Sequence, residues 1–129
     1  MYLQLKFSAV IMDVLIVEDD KVLSLLLSKM VDKLGVNVAG TCVAGQEAID
    51  KTKELSPDLI LMDIMLEDHI DGIDAMLHLR EENIDTPVIF ITGNSDTYNR
   101  ERAQKTGYID YLVKPISFDL LKETLKKVK

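Results

Sequence analysis

Short apolar runs alternate along the chain with longer segments in which apolar residues recur every three or four positions. The short runs are rich in Val, Ile and Leu, which favour strands. The first, third and fourth runs are continuously apolar, a pattern typical of parallel strands that helices cover on both faces. The predicted strands are Val14–Val17, Asn37–Val43, Leu59–Met62, Val88–Ile91 and Tyr108–Val113.

The longer segments predict helices between the strands, and the first has the most regular apolar spacing. We expect its apolar stripe to lie in the core: Val22, Leu23, Leu26, Leu27, Met30, Val31 and Leu34. Gly35 is a stop signal for this helix. The second helix carries Ala48, Ile49 and Leu55 and ends before Pro57, and the third begins at Asp71-Gly72, carries Ile73, Met76, Leu77 and Leu79, and ends before Asn83.

The last two predicted helices differ in their apolar content. The segment from Ser95 to Thr106 has only Tyr98 and Ala103 as apolar anchors, so we expect it to be weakly packed. Ser117 can cap the final helix, and lysines near its end favour the helix dipole. The inward positions of that helix are predicted to be Phe118, Leu121, Leu125 and Val128.

The order of elements defines a fold class. Strand and helix alternate five times, and right-handed crossovers make this order a doubly wound, five-stranded parallel sheet with five helices. A chain of 129 residues suits one domain, predicted to span residues 12–129. Residues 1–11 form an N-terminal extension of uncertain role, which lacks the basic start of a signal peptide and the length of a membrane span.

The composition of the chain disfavours some classes of binding partner. The formal net charge is −7, and this excess of acidic groups disfavours direct binding to nucleic acid or to anionic membranes. The one cysteine, Cys42, forms no disulfide within the chain and is predicted to be a buried, unreactive thiol. These features fit a cytoplasmic protein.

Polar side chains end four of the predicted strands. Glu18, Asp19 and Asp20 follow the first strand, and Asp63 follows the third. In an open parallel sheet the carboxyl ends of the strands form the ligand-binding edge, so we expect these acids to lie together and to bind Mg²⁺ through hard oxygen ligands. Asp20 is expected only to cap the first helix.

The fourth strand ends in Thr92 and the fifth in Lys114-Pro115. One crevice then holds a carboxylate, a hydroxyl and an ammonium group beside a metal site. A carboxylate can accept a phosphoryl group when cations neutralise the charge on the transferred oxygens.

In this order, Val17-Glu18-Asp19-Asp20, Pro57–Asp63, Thr92-Gly93 and Tyr111–Pro115 resemble the receiver domain of two-component response regulators, from about residue 12 to residue 129. The resemblance implies a flavodoxin-like fold and a phosphorylation-activated signalling switch. Such a domain is a phosphoacceptor that catalyses only its own phosphorylation and dephosphorylation. The implied partners are a histidine kinase or histidine phosphotransfer protein and a downstream effector or separate output domain.

The resemblance also implies a role for each site residue. Asp63 is the phosphoacceptor; Glu18, Asp19, Asp63 and the backbone carbonyl of Met65 hold Mg²⁺; Thr92 and Lys114 contact the phosphoryl group; and Tyr111 is the switch aromatic. It further implies a cis peptide bond before Pro115. Tyr111 can equally be a core aromatic, and His69 and His78 are expected to be bystanders.

Three departures from the family pattern affect the loops. Glu67-Asp68-His69 follows Met65-Leu66 where the family usually has Pro-Asp-Gly, Gly93 replaces a common Ala, and Gly107-Tyr108 replaces a usual Gly-Ala. No functional group is lost by these changes. Glu67, His69 and Asn94 become candidates for contacting or screening the site.

Other classes of protein fit the sequence less well. A dehalogenase-like phosphatase needs a second acid two residues after its nucleophile, where this chain has Met65, and no Gly-rich phosphate loop supports a nucleotide-binding module. A degenerate receiver that acts only as a protein-interaction module remains the alternative.

Output is expected to leave through another protein, or through further domains of a longer chain. We expect phosphorylation to reshape the face formed by the fourth helix, fifth strand and fifth helix and to favour a homodimer. The residues expected on this face are Tyr98, Arg102, Asp110, Tyr111 and Lys122.

Overall fold

The structure, a computed structural model, describes residues 12–93 and 96–128. The N-terminal extension predicted for residues 1–11 lies outside the described residues, as do Asn94, Ser95 and Lys129. In chain order, the elements are β1 Asp13–Val17, α1 Lys21–Lys33, β2 Asn37–Cys42, α2 Gly45–Leu55, β3 Leu59–Met62, α3 Gly72–Glu81, β4 Val88–Thr92, α4 Thr97–Gln104, β5 Asp110–Val113 and α5 Phe118–Leu125.

The five strands form one parallel sheet in the order β2-β1-β3-β4-β5. This arrangement confirms the predicted doubly wound fold. The order reverses direction beside β1, which places the ligand-binding crevice between the carboxyl ends of β1 and β3. Val17 pairs with Met62, so the acids that follow these two residues begin level with each other.

Two apolar clusters cover the two faces of the sheet. On one face, α2, α3 and α4 contribute residues such as Ile49, Met76 and Ala103 to the core. On the other face, α1 and α5 contribute Leu27 and Leu121, among others. The three central strands β1, β3 and β4 are almost fully buried between these layers, as their continuous apolar runs predict.

The buried face of α1 is narrower than its apolar stripe predicts. Only Leu27 and Val31 are buried in this helix, whereas Val22 is 76% exposed and Leu26 is 47% exposed. Successive residues of a helix are rotated by roughly 100°, so Val22 and Leu26 lie on a row beside the one that contacts the sheet. The assignment of the stripe to the core was wrong for Val22 and Leu26, because seven apolar positions span a wider arc than one packed face.

The short helix α4 also differs from its sequence-based expectation. It begins at Thr97, with Asp96 as N-cap, and ends at Gln104. Its expected anchor Ala103 is buried, but Tyr98 is 71% exposed and contacts the Arg102 guanidinium instead of the core. The strand β5 begins at Asp110, two residues later than predicted, although Ile109 already donates a backbone hydrogen bond to Val88.

Candidate functional site

The carboxyl ends of β1, β3, β4 and β5 surround an open pocket of about 410 Å³. Its lining residues are Glu18, Asp19, Asp20, Leu23, Asp63, Met65, Thr92, Gly93 and Lys114. The fold therefore brings together every metal or phosphoryl-site residue named from the sequence. Tyr111 lies outside this lining.

Lys114 joins the two buried acids of the pocket. Its Nζ lies 2.6 Å from Oε1 of Glu18 and 2.9 Å from Oδ2 of Asp63. Glu18 is 2% exposed and Asp63 is 6% exposed, and buried carboxylates require such pairing. Burial works to lower the pKa of Lys114, but its hydrogen bonds with Glu18 and Asp63 outweigh that effect and raise the pKa, so the ammonium stays charged.

A third carboxylate leaves this cluster with more negative than positive charge. Glu18, Asp19 and Asp63 each offer one oxygen, and these oxygens lie within 4.8 Å of one another. Burial, followed by the hydrogen bond and charge of Glu18, raises the pKa of Asp19. An all-oxygen donor set with unbalanced negative charge fits Mg²⁺ better than a soft metal. The residues present therefore suit the Mg²⁺ ion that the family resemblance implies.

Backbone contacts fix the direction of the Asp63 side chain. The N–H of Ile64 donates to Oδ1 of Asp63 over 2.7 Å, and Lys114 holds the other oxygen. The backbone N–H of Asp63 donates to the Val17 carbonyl, which ties the end of β3 to the end of β1. Both carboxylate oxygens thus have defined partners, and the group is presented at one position in the pocket.

Thr92 and Lys114 form the other wall of the pocket. Thr92 is 1% exposed at the end of β4. The backbone N–H of Lys114 donates to the Thr92 carbonyl over 2.8 Å, so the sheet itself sets the spacing of the two residues. The Lys114-Pro115 peptide bond is cis, as the family resemblance implies.

Tyr111 lies in an aromatic cluster behind this wall. Its ring centroid is 6.1 Å from that of Phe90 and 5.8 Å from that of Tyr108, and the residue is 6% exposed. The Arg100 guanidinium lies 4.4 Å from the ring centroid. The ring is already turned inward in this structure, so Tyr111 contributes little to the surface on which the sequence predicted it.

Several residues have the modest roles expected of them. Asp20 caps α1 by accepting from the backbone N–H groups of Val22 and Leu23. Cys42 is 1% exposed, and burial raises the pKa of its thiol to about 12, which keeps it unreactive. His69 is exposed, and Nε2 of His78 lies 2.6 Å from the Glu82 carboxylate.

Among the loop departures, Asp68 has the contacts that sequence reasoning missed. Neither Glu67 nor His69 lines the described part of the pocket, and Asn94 lies outside the described residues. The Asp68 carboxylate instead accepts two backbone hydrogen bonds from Gly45 and Gln46. Ala44 offers no capping side chain, which indicates that the second helix needs a cap from elsewhere but does not indicate that Asp68 provides it.

Comparison with known proteins now defines the family. Residues 14–126 match the response regulator receiver domain. The chain is 40% identical over 113 residues to the probable C4-dicarboxylate response regulator DctR of Halalkalibacterium halodurans, covering 87% of this chain and 49% of that protein. It is 34% identical over 115 residues to the chemotaxis protein CheY of Thermotoga maritima, covering 89% of this chain and 95% of that one.

A solved structure of a receiver domain is also similar to this chain. The receiver domain of the sensor histidine kinase PA1611 from Pseudomonas aeruginosa PAO1, which has a magnesium ion in its active-site cleft, is 30% identical with a TM-score of 0.80. The similarity covers 92% of this chain and 97% of that one. This chain belongs to the response regulator receiver domain family.

Family membership gives the general character of the site. Receiver domains are phosphoacceptor switch domains of two-component systems and bind Mg²⁺ at an acidic site. The chain spans about half the length of DctR. Within residues 12–93 and 96–128, no helix combines the length and the hydropathy needed to cross a membrane.

Proposed function

We propose that this chain is a phosphorylation-activated switch in which Asp63 accepts a phosphoryl group from phosphohistidine or from a small acyl phosphate. A carboxylate oxygen of Asp63 forms a bond to phosphorus while the bond from phosphorus to the donor nitrogen or oxygen breaks. The observation that carries the proposal is the position of the Asp63 carboxylate, which lies 2.9 Å from the Lys114 ammonium and beside the oxygens of Glu18 and Asp19.

Each neighbouring residue has a role in this transfer. Lys114 lies within hydrogen-bond distance of Asp63 and is placed to neutralise charge on a transferred oxygen. Thr92 lines the same pocket and is proposed to bond the phosphoryl group. Glu18, Asp19, Asp63 and the Met65 carbonyl would hold Mg²⁺, which when bound supplies further neutralisation of phosphoryl oxygens.

Intact-mass measurement after incubation with acetyl phosphate and Mg²⁺ tests the phosphoacceptor. We expect the wild-type chain to gain one phosphoryl group and Asp63→Asn to gain none. Asp58→Asn is the matched control, because Asp58 is an exposed acid at the opposite end of β3, and it should label normally. Equal labelling of Asp63→Asn would overturn the assignment, and no labelling of the wild-type chain by any donor would favour the phosphorylation-independent interaction module.

The proposed metal site makes a separate prediction. Asp19→Asn removes one oxygen ligand and also removes repulsion between carboxylates, so Mg²⁺ affinity should fall while the metal-free protein becomes more stable. Calorimetric titration with Mg²⁺ and thermal unfolding without it measure the two effects. Unchanged Mg²⁺ affinity would place the cation elsewhere.

An apolar surface beside the pocket supports a protein phosphodonor. Val22, Leu25 and Leu26 are exposed on α1, and a groove of about 340 Å³ runs from this helix to Ile116. Glu18 and Lys114 line the same groove, so a protein docked on it would be close to Asp63. We propose this surface for the histidine kinase or phosphotransfer protein.

Phosphotransfer from a panel of histidine kinases tests this surface. Leu26→Asp should slow labelling by the most active kinase and leave labelling by acetyl phosphate unchanged, because the small donor needs no docking surface. If Leu26→Asp slows neither reaction, the kinase uses another face.

We further propose that the output face comprises α4, β5 and α5. Tyr98 is exposed there, and Arg102 and Asp110 lie along it in ion pairs. Because Tyr111 already lies inward, phosphorylation would stabilise that position as Thr92 moves toward the phosphoryl group. Beryllofluoride should shift the backbone amides of residues 97–106 and of Tyr111, and sedimentation should detect any homodimer. Shifts confined to residues beside Asp63 would place output on another face.

A further inference from the structure

The loop between β3 and α3 has an anchor outside the pocket. Oδ1 of Asp68 accepts from the backbone N–H of Gly45 over 2.7 Å, and Oδ2 accepts from that of Gln46 over 2.9 Å. We propose that Asp68 is a positioning residue: by fixing this loop to α2, it fixes the Met65 carbonyl and so sets Mg²⁺ affinity. The inference rests on the function proposed above.

Asp68 accepts hydrogen bonds from the first turn of α2, which lacks a cap from its own N-cap residue. The N-cap residue Ala44 provides no side-chain hydrogen bond, and the first N–H groups of a helix have no partner within it. A carboxylate at this end is also favoured by the helix dipole. Asp68, which is distant in sequence, therefore serves as the cap, and capping α2 necessarily fixes the position of the loop.

Further contacts join the same two segments. The N–H of Glu67 donates to the Val43 carbonyl over 3.2 Å. Gly45 lies so close to Ile70 that a Cβ at position 45 would overlap the Ile70 carbonyl. The loop is thus held against the start of α2 from residue 67 to residue 70.

The other end of the loop is fixed near Asp63. The N–H of Gly72 donates to the Ile64 carbonyl over 2.8 Å, and Ile64 itself donates to the Asp63 carboxylate. Met65, at 66% exposure, lies between these fixed points and has little packing of its own. The place of its carbonyl is therefore set by the contacts that flank it, and Asp68 makes the two shortest on the α2 side.

The charge state of Asp68 supports this role. Burial works to raise its pKa, but the backbone hydrogen bonds from Gln46 and Gly45 outweigh burial and lower the pKa. The carboxylate is therefore ionised at neutral pH. Groups that orient a metal ligand from behind change metal affinity by roughly 10–100-fold when they are lost, and Asp68 is linked to Met65 by three peptide bonds.

Calorimetric Mg²⁺ titration of the whole chain tests the proposal. Asp68→Ala should raise the Kd for Mg²⁺ by about tenfold, the lower end of that range. Asp68→Asn accepts through one oxygen only and should have a smaller effect. Glu67→Gln is the matched control, because it removes the same charge from the neighbouring exposed position and keeps the backbone bond to Val43; screening should limit its effect to about twofold.

A kinetic readout separates positioning from general instability. The acetyl phosphate labelling rate of Asp68→Ala should recover at saturating Mg²⁺, since only ligand placement is impaired, and the Gly45 and Gln46 amide resonances should shift in both Asp68 variants. If Asp68→Ala fails to fold, Asp68→Asn provides the same comparison with Glu67→Gln.

Two results would overturn the inference while the proposed function stands: wild-type Mg²⁺ affinity in the Asp68 variants, or equal weakening by Glu67→Gln and Asp68→Ala, which would mean a charge effect alone. Failure of the wild-type chain to bind Mg²⁺ or to be labelled at Asp63 would instead overturn the proposed function.

Discussion

The neighbouring helices α3 and α4 lie on the same face of the sheet but are held to it by different forces. In α3, Ile73, Ala75, Met76 and Leu79 are all buried. In α4, Ala103 is the only buried residue of the described helix. Apolar packing therefore secures α3, whereas α4 has little buried surface with which to resist displacement.

Arginine side chains make polar contacts that attach α4 to α3. Arg102 donates to Asp71, the N-cap of α3, over 2.9 and 3.2 Å, and to Asp74 in its first turn over 2.9 Å. Arg80 at the other end of α3 donates to the Thr106 carbonyl over 2.9 Å. Partly exposed ion pairs contribute about 0–1 kcal/mol each, so α4 can move at small cost. Since Asp71 lies at the end of the loop that follows Asp63, α4 is also linked to the site.

The largest effect on the free energy of unfolding is expected from the apolar packing of α3. Met76→Ala removes a fully buried side chain from α3 and should lower the free energy of unfolding by about 2–5 kcal/mol. Tyr98→Ala, on the exposed face of α4, should change it by less than about 0.5 kcal/mol. Urea denaturation of both variants measures the contrast, and equal destabilisation would mean that α4 is packed as firmly as α3.

Substitution of Arg80 is expected to have the next largest effect on the free energy of unfolding. Its guanidinium donates to the carbonyls of Ile84, Thr86 and Thr106, and burial lowers its pKa. Arg80→Met keeps the apolar stem but leaves these carbonyls without that partner, which should cost about 1–3 kcal/mol. Arg80→Lys should rescue only part of the loss, because an ammonium cannot reproduce the planar fork. Full rescue by Lys would show that charge alone matters.

Removal of the Arg102 contact should have a smaller effect on stability but a local effect on motion. Arg102→Gln should cost about 0.5–1 kcal/mol at low salt, and the difference from wild type should shrink as salt screens the ion pairs. Amide hydrogen exchange should accelerate in residues 97–104 and not in α3. Uniform acceleration across both helices would refute the idea that α4 moves independently.

The contrast also explains which features the sequence could predict. Continuous apolar runs predicted the strands closely, because a fully buried strand needs apolar residues at every position, as in Leu59–Met62. The pocket followed from topology, since acids at the ends of neighbouring parallel strands must meet at one edge. The polar attachments of α4 were missed because Arg80 and Arg102 have the pattern of ordinary solvent-exposed residues.

Apolar residues on the surface were harder to predict for a related reason. Periodicity identifies the apolar side of a helix but not how much of that side the sheet covers, so Leu26 was assigned to the core. The Asp68 contact was also beyond reach, because it joins residues 23 positions apart through backbone N–H groups. Such groups leave no side-chain pattern in the sequence.

The smallest predicted effect on stability concerns an ion pair between β5 and the residues that follow α5, a helix with an apolar anchor. Lys127 lies 2.7 Å from Asp110, whereas Leu121 and Leu125 hold α5 to the sheet. Lys127→Gln should therefore cost about 0–0.5 kcal/mol and leave hydrogen exchange in α5 unchanged. Faster exchange in α5 would mean that surface charges control helix mobility even where apolar packing is present.

The pH dependence of the Lys127→Gln variant provides a second check. Burial works to raise the pKa of Asp110, but the hydrogen bonds from Lys127 and the Tyr111 backbone outweigh it, and the pKa is lowered. Between the folded pKa and the unfolded pKa of Asp110, the unfolded chain binds more protons than the folded chain. The stabilisation from the Asp110 carboxylate is therefore complete above the unfolded pKa of about 3.9 and is lost as pH falls through the lower folded pKa. The stability difference between wild type and Lys127→Gln should thus be constant from about pH 6 to 8 and shrink below about pH 4. Loss of the Lys127 ion pair should leave the protection factors of the α5 amides unchanged at each pH, whereas Arg102→Gln should lower those of the α4 amides. That result would assign the difference between the two helices to buried apolar area rather than to charge.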